Sequence, residues 1–111
     1  MSDPAREATR APPFIVLVRP ETAGPLRNPV SLELRFETAS GVGIDMDSVR
    51  ATYGWFGIDI TGRLLAHATR TGNTLSVENV DMPLGRHKVT ISVADTSGRV
   101  GSRTFRISIV R

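Results

Sequence analysis

The chain has 111 residues, no cysteine, one tryptophan and a formal net charge of +3. That length suits one domain with one core. Without thiols, disulfides, thiolate catalysis and cysteine-ligated zinc are excluded together. The longest apolar run, FIVLV at residues 14–18, falls far short of the roughly 18 residues that span a bilayer, so no membrane span is expected.

Residues 1–13, MSDPAREATRAPP, are polar and close on Ala11-Pro12-Pro13. That ending favours an extended entry and reads as a flexible linker or tether, with residues 14–111 as the domain. The amino end lacks the continuous apolar segment of a secretory signal, which fits a cytosolic protein or a domain excised from a longer exported one. Its linker character favours excision.

From Phe14 onward, short apolar stretches recur between clusters of Gly, Pro, Asn and Asp, the rhythm of a β-sandwich. Residues 14–18 form the first, and the RPETAGPLRNP that follows excludes a central strand there. Val30, Leu32, Leu34 and Phe36 then alternate with Ser31, Glu33 and Arg35, predicting a strand with one buried and one wet face. Residues 40–47 look like a turn. Residues 49–55 follow as a strand with Val49, Ala51, Tyr53 and Trp55 on one side.

Residues 58–73 admit two readings. Ile60, Leu64, Leu65 and Ala68 form the apolar side of one short helical segment near residues 60–68, whereas LLAHATR followed by TGN reads as a strand entering a hairpin. Gly62 weakens the helix. In either case the broken rhythm marks where the chain crosses between sheets. Residues 75–80 are next, then Val89, Ile91 and Val93, then Phe105, Ile107 and Ile109, about seven strands in all. The last two alternating runs are joined by a tight turn at residues 95–99 and are expected to be adjacent and antiparallel.

VDMPLGRHKVTISVADTSGR, residues 80–99, with the TFRISIV that follows, resembles the closing hairpin of bacterial immunoglobulin-like modules, relatives of fibronectin-III-like sandwiches. As a pattern the resemblance extends back to Phe14; as a motif it covers the closing hairpin alone. It implies an all-β, immunoglobulin-like antiparallel β-sandwich. It also implies a non-catalytic structural or protein-interaction module of a larger exported bacterial protein, periplasmic or at the cell surface, with a cytoplasmic location as the alternative. The implied partners are neighbouring domains of the same polypeptide or another protein; the module would be a monomer without cofactor. Where antibody domains carry a cystine, Leu34 and Val89 stand here, Trp55 takes the place of the core tryptophan, and His87 stands where a corner tyrosine bonds to backbone.

Little in the chain points to catalysis. His67 and His87 have no carboxylate at useful spacing, no serine lies in a GxSxG context, and residues 40–43 lack the features of a phosphate cradle. Asp45, Asp47 and Asp95 are the candidate calcium ligands, but a calcium shell takes about six oxygens or more. Turn formation and solubility account for them, so no metal is expected. Specific nucleic-acid binding is not expected either, because the basic residues are scattered and most aromatics lie on predicted inward faces.

Two candidate contacts remain. In YGWFG, Trp55 and Phe56 are adjacent, so in a strand one of them must face outward as a sugar or protein contact. The alternative function is therefore a carbohydrate-binding sandwich module, set against both rings packing at a bend made by the flanking glycines. Lys88, Arg103 and Arg106, with Arg86 and Arg99 nearby, form the candidate polyanion contact on the final hairpin, where weak, salt-sensitive association is expected.

Overall fold

A computed structural model describes residues 11–20, 24–39 and 41–111. The expected tether at residues 1–13 lies outside the described residues except for its last three. The elements in chain order are β1 (Phe14–Arg19), β2 (Leu26–Arg27), β3 (Val30–Glu37), β4 (Ile44–Tyr53), β5 (Ile58–Asp59), α1 (Thr61–Ala66), β6 (Ala68–Thr71), β7 (Thr74–Val80), β8 (Gly85–Asp95) and β9 (Val100–Val110). A four-stranded sheet, β1-β3-β7-β6, packs on a five-stranded one, β2-β9-β8-β4-β5. Among the described residues the molecule is an all-β sandwich with one short helix. Seven strands are substantial; β2 and β5 are two-residue additions at sheet edges, and β2 pairs with β9 in parallel.

The alternating positions fill the layer between the sheets. Ile15 on β1, Leu34 and Phe36 on β3 and Leu75 on β7 meet Val49 and Ala51 on β4 and Ile91 and Val93 on β8. Val89 and Phe105 are half-buried against the same cluster. Burying a side chain of this kind contributes roughly 1.5–3 kcal/mol, so the inner faces supply most of the driving force.

Both readings of residues 58–73 are realised in succession. β5 closes the five-stranded sheet, α1 turns the chain over the end of the core, and β6 joins the four-stranded sheet, so the crossing falls where the rhythm breaks. The Thr61 hydroxyl accepts the Ala51 N–H at 2.9 Å, and the Ile60 N–H donates to the Ala51 carbonyl at 2.9 Å, which pins α1 to β4. Asp59 caps the turn by accepting the Thr61 N–H. Ile60 and Leu64 pack on the core; Leu65 faces solvent.

Residues 44–47 are strand rather than turn, correcting the sequence expectation. The cause is a bulge: Asp45 pairs with Ala94 and Arg50 with Ser92, so more residues of β4 than of β8 fill the interval. The Ser48 hydroxyl fills the gap, donating to the Asp45 carbonyl and accepting the Ala94 N–H at 2.7 Å. Inward phase shifts from Ile44 and Met46 to Val49 and Ala51, and a shift of phase destroys the alternation by which a strand is recognised.

One side of the sandwich is closed by the strand entry. Pro13 is buried against Gly101 of β9, and an added Cβ on that glycine would overlap the Pro13 carbonyl oxygen. Nearby, the Arg103 guanidinium donates to the Ile15 carbonyl at 3.0 Å and lies 5.0 Å from the Phe105 ring centre. It ties the edge of one sheet to the edge of the other.

Candidate functional site

β4 ends at Tyr53, and Tyr53 pairs with Ile58 across a four-residue turn, Gly54-Trp55-Phe56-Gly57. Gly54 (φ 77°) and Gly57 (φ 63°) supply the left-handed backbone at the two ends of that turn. The turn presents both aromatic side chains to water: Trp55 is 81% and Phe56 95% exposed. This corrects the expectation of a core tryptophan. Parity along the strand points Trp55 inward, but Gly54 leaves the strand conformation before that parity reaches it.

Trp55 is held against the outer face of the five-stranded sheet, with the Lys88 ammonium 4.0 Å from its ring centre. Such a cation–π contact contributes about 0.5–1 kcal/mol at an exposed position. The ring keeps most of its surface in water. Lys88 is directly opposite Arg106 in the β8–β9 ladder, and Arg86 is opposite Ser108, so Arg86, Lys88 and Arg106 share one face with Trp55. Together with Gly54 and Ser108 they line a shallow depression. Further along the face a hydroxyl pair continues, with Thr90 and Thr104 oxygens 3.0 Å apart.

The floor of the depression is cross-linked by hydrogen bonds. His87 is buried, its Nε2 donates to the Pro83 carbonyl at 2.7 Å, and in the neutral ring Nδ1 therefore accepts the Tyr53 hydroxyl at 2.7 Å. The bond to a backbone group expected of His87 is present. Its tyrosine partner, 34 residues away in the chain, was not foreseen. With both nitrogens engaged, His87 positions Tyr53 and the turn that follows it.

Arg103 does not belong to this face. It pairs with core-facing Ile91, so it lies on the opposite side of β9 from Arg106, and its guanidinium is committed to the Ile15 carbonyl. The expected basic set is thus divided: the structure keeps Lys88, Arg106 and the nearby Arg86 on one face and places Arg103 on the other side of β9. Arg99 is at the far end of the hairpin, beside Ser97.

The three aspartates border one open pocket, but each is engaged in other contacts. Asp95 points into the sandwich, where its Oδ1 accepts the Ser97 hydroxyl and the Ser97 and Arg99 N–H groups at 2.6–3.0 Å. Asp45 is exposed on β4 and accepts the Asp47 N–H; Asp47 pairs with Arg70 at 3.0 Å. Among the described residues, no three His, Cys, Asp or Glu side chains are grouped to hold a metal. The Ser97 hydroxyl above all, then backbone N–H groups and the Arg99 charge, hold the Asp95 carboxyl below the usual carboxylate range against the opposing effect of burial.

No protein-family model matches the chain, and no curated protein sequence matches it. Among solved structures it is similar to CopC from Methylosinus trichosporium OB3b, at 15% sequence identity and a TM-score of 0.55, over 86% of this chain and 93% of that one. Likeness at that identity is a likeness of fold alone.

Proposed function

We propose that this chain is a non-catalytic, immunoglobulin-like interaction module of an exported bacterial protein, and that it meets its partner through the sheet face around Trp55. The observation that carries this reading is the pair of solvent-exposed aromatic rings, 81% and 95% accessible, on a turn whose backbone requires two glycines. Large apolar side chains displayed on a well-braced turn are a recognition feature. Residues 14–111 form the module and residues 1–13 join it to its neighbour. Export and a periplasmic or surface location rest on the resemblance to bacterial modules of this type, and the sandwich fold is compatible with it.

Trp55 is the only tryptophan in the chain, so its fluorescence reports on this face alone. Titration with cell envelopes of the bacterium that makes the protein is expected to shift or quench that emission, and Trp55→Ala to abolish sedimentation with the envelopes. An unchanged emission together with no sedimentation overturns the reading.

A further inference from the structure

We propose that the ligand of this face is a uronic-acid polysaccharide, a chain of pyranose rings bearing carboxylates. The inference rests on the reading that the Trp55 face is the contact surface, and it names the chemistry. Lys88 and Arg106 are directly opposite each other on neighbouring strands. Like charges in that position destabilise a sheet, and a bound carboxylate turns the repulsion into attraction to both. Three other cations are matched: Arg19 with Glu33 and Glu78, Arg35 with Glu37, and Arg70 with Asp47. Among the described residues, Arg86, Lys88 and Arg106 take part in no such ion pair, and no acid lines their depression. Asp59, on neighbouring β5, accepts the Thr61 N–H at its Oδ1.

The aromatic component selects the polymer. Lys88 covers one face of the indole, and its high exposure leaves the other open for the C–H face of a sugar. Arginine forks then suit carboxylates on adjoining sugars. Single-stranded nucleic acid is bound along rows of stacking rings, and here one ring lies on the basic face. An anionic lipid surface would be entered by side chains at an apex; Trp55 is tethered to the sheet, and Phe56 alone is fully free.

The test titrates the intact chain, followed by Trp55 emission, with polygalacturonate, a neutral glucan of similar length, single-stranded DNA and vesicles of anionic phospholipid, at about 50 and 200 mM salt. Polygalacturonate is expected to change the emission and to bind more weakly at the higher salt, while the glucan has no effect. Arg86→Ala and Arg106→Ala should each weaken binding about tenfold, as for loss of a charge-assisted hydrogen bond. Circular dichroism should show both variants folded. In affinity electrophoresis through a polygalacturonate gel, Trp55→Ala should lose its retardation and Phe56→Ser should keep it. DNA binding equal to or tighter than polygalacturonate, or vesicle binding that Phe56→Ser removes, overturns the proposal. A response to cell envelopes with none to polygalacturonate also overturns it, and leaves the interaction-module reading standing.

Discussion

His87 is buried at low cost because both of its ring nitrogens are engaged, one by the Tyr53 hydroxyl and one by the Pro83 carbonyl. Tyr53→Phe, which removes one hydroxyl, should lower stability by about 0.5–1.5 kcal/mol in urea unfolding. His87→Leu, which strands the half-buried hydroxyl, should lower it by about 1–3 kcal/mol. Asp95 makes a second residue-scale prediction. Its carboxyl is held below the usual carboxylate range in the folded state by the Ser97 hydroxyl above all, then by the backbone donors and Arg99. A group depressed on folding stabilises the protein above its unfolded pKa, and that stabilisation is lost as pH falls from about that value through the lower folded one. Asp95→Asn should therefore lower Tm at pH 7, and the gap to the parent protein should narrow as pH falls below about 4. A gap independent of pH would mean that the charge of Asp95 contributes nothing.

At the scale of elements, the contrast between two glycines tests how the strands and helix are placed. Gly101 of β9 runs directly beneath the Pro13 carbonyl, where a methyl group has no room. Gly101→Ala should displace the entry to β1 and lower stability by about 1–3 kcal/mol, as overpacking does. Gly62 of α1 faces open space. Gly62→Ala should raise stability by up to about 1 kcal/mol through helix propensity and a less free unfolded chain. Paired thermal melts of the two variants decide the matter, and equal effects would place one of the two elements wrongly.

For the molecule as a whole, the core predicts an asymmetry between neighbours on β3. Leu34 is buried between the sheets, whereas Glu33 lies on the outer face with Arg19 and Ser76. Leu34→Ala should cost about 2–5 kcal/mol. Glu33→Ala, which breaks a solvent-exposed ion pair, should cost under about 1 kcal/mol. Comparable losses in chemical denaturation would mean that β3 does not bury one face. The net positive charge is likewise distributed by the fold. Ion pairs match Arg19, Arg35 and Arg70, and the cations beside Trp55 are left to act together.

Much of this architecture is legible in local periodicity. The alternation in β3, β8 and β9 assigns the core faces because side chains on a strand alternate with a period of two, and the Asp-Ser-Gly turn joins the last two strands in antiparallel pairing. The same parity already places Arg103 with Phe105 and opposite Arg106, a signal in the sequence that the clustering of basic residues obscured. Three features were decided by tertiary structure alone. The bulge in β4 resets the inward phase through contacts with β8, so residues 44–47 read as a turn. Trp55 faces outward because Gly54 leaves the strand before it and Lys88, from another strand, receives its ring. The Tyr53–His87 bond joins residues far apart in sequence, and only the pairing of β4 with β8 brings them together. Periodicity records which side of its own strand a residue occupies; the neighbour it meets there depends on strand register, which is set by the packing of the whole sandwich.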